Sequence, residues 1–97
     1  MREVPGESFR AGDLPPGRVA VLFCADWCGY CHRFLTHFRK VPGGVMVDVS
    51  DEDLPVWDEY GLRVVPTVIL FEDGKPVRQW AGVLAAHHAD QIRDALG

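Results

Sequence analysis

Residues 19–24, Val-Ala-Val-Leu-Phe-Cys, form an apolar run that no polar residue interrupts. A strand with one face in water alternates apolar and polar residues, so an unbroken run indicates a strand covered on both faces, as in a parallel sheet. We therefore predict a strand here, at the centre of a sheet. Residues 45–49 and 68–71 are also mostly apolar and predict two further strands.

A turn follows the last of these runs. Residues 72–75, Glu-Asp-Gly-Lys, place Gly74 where a hairpin turn needs a positive φ. Residues 76–80 should therefore pair back antiparallel, and Pro76 is compatible with the start of an edge strand.

The segment after residue 24 is predicted to be an amphipathic helix that opens at a pair of cysteines. Successive helical positions turn by about 100°, which puts apolar residues on the face of Cys31 and charged ones opposite. The helix should end before residues 42–44, Pro-Gly-Gly, which cannot continue it. Its apolar face holds Phe34, Leu35 and Phe38, and its polar face holds Arg33, His37 and Lys40.

Two more helices are predicted. The first is short, with Asp53 as its cap, Pro55 in its first turn and Gly61 as its stop. The second is C-terminal, because residues 85–96 carry apolar side chains at helical spacing.

These elements predict an α/β fold in a single domain that spans residues 1–97. Residues 1–17 contain three prolines and three glycines and are predicted to be mostly irregular. The sheet then has four strands, or five if a weakly indicated N-terminal strand forms. A chain of this size buries roughly two-thirds of its unfolded surface, enough for a modest core.

Composition and charge argue against some classes of function. A net charge of -4, with ten scattered Lys and Arg, argues against nucleic-acid binding, which needs a clustered basic surface. No stretch approaches the ~18 consecutive apolar residues of a membrane span, and the N-terminus lacks the apolar core of a signal peptide. We therefore expect a cytoplasmic protein without membrane or nucleic-acid partners.

Three cysteines, an odd number, do not make a disulfide framework. Cys28 and Cys31 are separated by one helical turn at the start of the first helix. The unpaired N–H groups and dipole at a helix N-terminus should acidify the Cys28 thiol, whereas Cys31 faces the core. An exposed nucleophilic sulfur and a shielded sulfur one turn later could form a disulfide and resolve a mixed one.

The residues around this pair resemble the thioredoxin superfamily over about residues 19–96. The match includes Cys28-Gly29-Tyr30-Cys31 after an apolar strand and Val65-Pro66-Thr67 before another. The remaining matching residues are Phe23, Ala25, Trp27, Asp48, residues 60–64, Phe71, Asp73, Gly74 and Gly82.

This resemblance implies a three-layer α/β/α sandwich around a mixed sheet and no bound cofactor. It further implies that Pro66 is cis beside the dithiol and that Val65 offers backbone groups to a substrate strand. Gly82 would let a substrate chain approach. Trp27 and Tyr30, together with Gly29, are interpreted as a substrate platform.

The chain also departs from the family pattern. Leu22 and Met46 stand where the family usually has a buried aspartate and its lysine partner, and Cys24 replaces a usual tryptophan. A proton acceptor for Cys31 is thus missing, and Asp26 is one candidate replacement. His32 could favour the Cys28 thiolate through partial positive charge. Cys24 is interpreted as a small core residue, with a redox or regulatory role as the alternative.

The sequence therefore predicts a monomeric thiol–disulfide oxidoreductase that acts on protein disulfides and is recycled by a reductase or a low-molecular-weight thiol. Four alternatives remain open. The cysteines also fit covalent haem attachment and an iron–sulfur spacing. The other two are a redox-inert binding module and a zinc site formed by Cys24, Cys28, Cys31 and His32 or His37.

Overall fold

The computed structural model describes residues 1–97 and contains five strands, three α-helices and two short 3-10 turns. The strands are β1 (Arg2–Pro5), β2 (Arg18–Cys24), β3 (Val45–Asp48), β4 (Thr67–Glu72) and β5 (Lys75–Ala81). The helices are α1 (Gly29–Phe38), α2 (Val56–Glu59) and α3 (Ala86–Leu96). The 3-10 turns lie at Gly6–Ser8 and Ala11–Asp13.

All five strands form one mixed sheet in the order β1-β3-β2-β4-β5. β1, β3 and β2 are parallel, whereas β4 and β5 run antiparallel to their neighbours. β2 lies in the middle with six consecutive buried residues, as its unbroken apolar run predicted. The predicted α/β sandwich is confirmed, with five strands.

Alternate residues of β2 face two separate apolar clusters. Ala20, Leu22 and Cys24 belong to the cluster that includes α1 and α3 residues and all three cysteines, which we call the thiol side. Phe23 and its alternate neighbours belong to the other cluster, which we call the aromatic side. Phe9, Phe23, Tyr60 and Phe71 make ring contacts there. The central strand therefore supports both layers.

The prediction that residues 1–17 are mostly irregular was wrong. Residues 2–5 form β1, which pairs in parallel with β3, and Phe9 is 3% exposed on the aromatic side. β1 is an edge strand with mostly exposed side chains, so its formation depends on pairing with a distant strand and leaves no hydrophobic pattern in the local sequence.

The short helix also differs from its prediction. α2 begins at Val56 after Pro55, and no side chain caps it. The Asp53 backbone N–H instead donates to Asp51 Oδ1 at 2.9 Å. The predicted stop is present, since Gly61 follows the helix with a φ of 63°. None of the three helices has both the length and the apolar character needed to cross a membrane.

Candidate active site

The β2–α1 connection places Cys28 at the N-cap of α1. Cys28 has extended backbone angles, and its Sγ accepts a hydrogen bond from the Cys31 backbone N–H at 3.3 Å. Sulfur thus takes the place of the side-chain oxygen that usually caps a helix. This contact directs an unpaired N–H of the helix towards the Cys28 sulfur.

The loop before β4 lies against the same sulfur. Cys28 Sγ donates to the Val65 carbonyl at 3.4 Å, and the Val65–Pro66 peptide bond is cis. The Gly82 N–H donates to the Pro66 carbonyl at 3.2 Å. The structure therefore brings together Cys28, Val65, Pro66 and Gly82, which are distant in the sequence.

The structure corrects the predicted state of Cys28. This residue is only 7% exposed, compared with 1% for Cys31, so both are buried. Burial raises the pKa of the Cys28 thiol, and a side-chain hydrogen bond with Cys31 raises it further. The Cys31 N–H bond lowers this pKa without reversing the shift. Burial of Cys28 thus opposes the acidification predicted from its position at the helix N-terminus.

Cys31 projects into the core, as its helical position predicted. A side-chain hydrogen bond with Cys24 raises the pKa of Cys31 far above its ordinary value, and burial adds to the effect. Interactions with Cys28 and the Ala25 backbone oppose this rise only in part. Because the shift at Cys31 is large, Cys28 is the sulfur that loses its proton more readily.

Two large aromatic side chains flank the dithiol at the surface. Trp27 is 54% exposed and Tyr30 is 49% exposed, so neither belongs to the core. The Trp27 indole N–H donates to the Ser50 carbonyl at 2.9 Å, and the Arg33 guanidinium lies 5.4 Å from the centre of the Tyr30 ring. These contacts hold apolar surface beside Cys28, while the first residue of α1, Gly29, leaves open space.

A second opening leads to the buried sulfur from the side. A pocket of about 200 Å³ reaches both Cys24 and Cys31. Its remaining lining consists of Ala25, Asp26, His32, Leu35, Met46 and Asp48. Ionisable groups thus lie in the same pocket as the thiol that lacks the family's usual proton acceptor.

The predicted modulating residues Asp26 and His32 contact each other instead of the dithiol. His32 Nε2 lies 2.9 Å from the Asp26 carbonyl oxygen, and the Asp26 N–H donates to Ser50 Oγ at 2.8 Å. Ser50 in turn donates to Asp48. Sequence reasoning missed Ser50, whose only signal is an Asp two residues earlier, a spacing that favours local side-chain hydrogen bonds.

The donor set gives no support to the zinc alternative. No group of three or more His, Cys, Asp or Glu side chains is arranged to hold a metal ion. Cys24 remains in β2, where its carbonyl accepts a hydrogen bond from the Val49 N–H at 2.8 Å. The zinc arrangement would require Cys24 to leave this strand.

Comparison with known proteins agrees with this geometry. Residues 14–97 match the family model described as a thioredoxin-like domain. The chain belongs to the thioredoxin superfamily.

Relatives of this superfamily member are similar over most of their length. A thioredoxin from Chlamydia caviae is 30% identical over 89 residues, which cover 86% of this chain and 85% of the relative. One from Alicyclobacillus acidocaldarius is 34% identical over 92 residues, covering 88% and 85%. The structure of a mutant thioredoxin from Halobacterium salinarum NRC-1 has a TM-score of 0.74 at 25% identity, covering 98% and 88%. The family is one of thiol–disulfide oxidoreductases.

The residues that depart from the thioredoxin pattern are buried, apart from Met46, which is half-buried. Leu22 is 0% exposed and pairs across the sheet with Met46 on β3. The positions of the family's usual aspartate and lysine therefore carry apolar side chains on both strands. In this thioredoxin-like chain, the ionisable residues Asp26, His32 and Asp48 line the side pocket together with Cys31 and Met46.

Proposed function

We propose that the protein reduces or exchanges protein disulfides, with Cys28 as the nucleophile and Cys31 as the resolving thiol. The observation that carries this proposal is the position of Cys28 Sγ, which lies between the Cys31 N–H at 3.3 Å and the Val65 carbonyl at 3.4 Å. The Cys31 N–H can donate to a Cys28 thiolate and so stabilises it, whereas the Val65 carbonyl accepts a hydrogen bond from the protonated Cys28 thiol.

The first step is attack by the Cys28 thiolate on a substrate disulfide. A new bond forms between Cys28 and one substrate sulfur, the substrate S–S bond breaks, and the other substrate sulfur leaves as a thiolate and takes up a proton. Trp27 and Tyr30 offer apolar surface to the segment that carries this disulfide.

The second step resolves the mixed disulfide. Cys31 loses its proton to solvent and attacks Cys28 Sγ. The Cys28–Cys31 bond forms, the bond between Cys28 and the substrate breaks, and the second substrate sulfur leaves as a thiolate that takes up a proton. The substrate has then gained two electrons, and the protein has lost them. A reductase or a low-molecular-weight thiol returns the protein to the dithiol state, and no bound cofactor is required.

Substrate binding is proposed along the loop that contains Val65 and cis-Pro66. An extended segment could use backbone groups next to Cys28, as β-strand addition does at a sheet edge. Gly82 and Gly29 have no atom within 4 Å of the position that a Cβ would occupy, which leaves room for such a segment. We further propose that the protein acts as a monomer in the cytoplasm.

Reduction of insulin disulfides with dithiothreitol as donor tests this function. We expect Cys28→Ser to abolish catalysis and Cys31→Ser to accumulate mixed disulfides that are visible by mass spectrometry. Lys40→Ser is the matched control, because Lys40 is exposed beyond the far end of α1. Catalysis that survives Cys28→Ser would refute the role of Cys28. Unreactive wild-type thiols would favour the redox-inert binding module.

A further inference from the structure

Cys24 is the one cysteine that the proposed dithiol chemistry does not use. It ends β2, is 7% exposed, and points to the thiol side with Leu22. Cys31 projects from the first turn of α1 into the same apolar cluster. A third thiol is therefore buried together with the resolving thiol.

The three sulfurs have a definite order, with Cys31 in the middle. The Cys31 backbone N–H donates to Cys28 Sγ at 3.3 Å, and Cys31 also lines the side pocket together with Cys24. The Cys24 side chain raises the pKa of Cys31 as well. Thiol–disulfide exchange needs an attacking, a central and a leaving sulfur. The order fits an exchange at Cys31 in which Cys24 attacks and Cys28 leaves.

The side pocket gives this exchange a separate route to solvent. It is lined by Cys24 and Cys31 but not by Cys28, and it also contains Asp26, His32 and Asp48. Its volume of about 200 Å³ is large enough for water, and the ionisable side chains can receive the proton that Cys24 must lose.

We propose that Cys24 is an alternative disulfide partner of Cys31. The inference rests on the proposed function, because the exchange starts from the Cys28–Cys31 disulfide. The Cys24 thiolate attacks Cys31 Sγ, a Cys24–Cys31 bond forms, and the Cys28–Cys31 bond breaks. Cys28 leaves as a thiolate that can accept the Cys31 N–H hydrogen bond. No electrons are gained or lost, and the Cys24 proton passes to the pocket.

This exchange changes what the oxidised protein can do. Cys28 regains a free sulfur beside Trp27 and Tyr30, where the substrate is proposed to bind, while Cys31 remains in a disulfide. The protein can then form a mixed disulfide through Cys28 but cannot resolve it with Cys31. The inward disulfide thus converts a dithiol site into a site with a single reactive thiol.

The first test uses Cys28→Ser, which retains Cys24 and Cys31, and the oxidant diamide. We expect both free thiols to be lost in the monomer, with a Cys24–Cys31 cross-linked peptide identified by mass spectrometry. Cys28→Ala, checked for folding by circular dichroism, is a second background. Cys28→Ser/Cys24→Ala is the control and should form no internal disulfide. Free thiols that persist in both backgrounds, or disulfides only between chains, would overturn the proposal.

The second test follows the exchange in oxidised wild-type protein. The remaining thiol is trapped with N-ethylmaleimide in mild acid and mapped, and we expect label on both Cys24 and Cys28. Label on Cys24 alone would overturn the exchange. Loss of insulin reduction in wild type would count against the proposed function, whereas bridging in Cys28→Ser reports on Cys24 and Cys31 alone.

Discussion

The two sides of the sheet share β2 but use it differently. The aromatic side packs rings edge to face, with Phe9 centred 5.6 Å from Phe23 and 5.5 Å from Tyr60. The thiol side holds all three cysteines and a pocket that opens to solvent. Edge-to-face rings add stability beyond their buried area, so the aromatic side fixes the strand that positions the sulfurs. Substitutions on the aromatic side should therefore lower the free energy of unfolding without changing the reactivity of the thiols.

Phe9→Ala is the substitution expected to have the largest effect on stability. Phe9 is 3% exposed and contacts three aromatic rings, so truncation should lower the free energy of unfolding by about 3–5 kcal/mol. Urea unfolding measures this loss, and Phe9→Leu should lose less because it retains volume. Iodoacetamide labelling of Cys28 in the folded variant should not change. A changed rate would show that the two sides are coupled.

The N-terminal residues illustrate which features of the fold could not be predicted firmly from the sequence. The pattern predicted β2, the cysteine pair on α1 and the loop at Pro66, because each has a strong local signature or a matching family motif. It indicated β1 only weakly, because the pairing of β1 with β3 is long-range, and Phe9 carried no periodic signal. The burial of Cys28 could not be predicted either, because it arises when the distant Val65 loop packs against the helix N-terminus.

Gly82→Ala should have the next largest effect, at the edge of the thiol side. Gly82 has a φ of 101°, which an alanine rarely adopts, and this strain should cost about 1–3 kcal/mol of unfolding free energy. Gly29→Ala is the matched control, since both positions have open space for a Cβ and Gly29 has no positive φ. Alanine favours helix at Gly29. Equal losses in urea unfolding would contradict a backbone cause.

The pH dependence of Cys28 alkylation tests whether burial or the helix N-terminus has the larger effect on the pKa of Cys28. Only the thiolate reacts, and the pKa of Cys28 is raised, so the rate should increase by about tenfold per pH unit through neutrality. The measurement is iodoacetamide labelling of reduced protein, with Cys28 and Cys31 separated by peptide mapping. Cys31 should label more slowly throughout. A Cys28 rate that is already constant below neutrality would show that the helix N-terminus prevails over desolvation.

The smallest expected effect lies at the start of α3, on the thiol side. His88 Nδ1 accepts a hydrogen bond from the Ala85 N–H at 2.9 Å, so His88→Ala should lower the unfolding free energy by about 0.5–1.5 kcal/mol.

Burial, together with the neighbouring His87, lowers the pKa of His88 in the folded state, so the unfolded chain binds the proton more readily. The contribution of neutral His88 to the unfolding free energy should be complete above its ordinary pKa of 6.5 and should decline as the pH falls through that value. Urea unfolding on both sides of this pH, compared between wild type and His88→Ala, isolates the difference. His87→Ala is the control, because it retains the hydrogen bond and should weaken the pH dependence only in part. A difference that grows on acidification would show that protonated His88 stabilises α3, contrary to its role as a neutral acceptor.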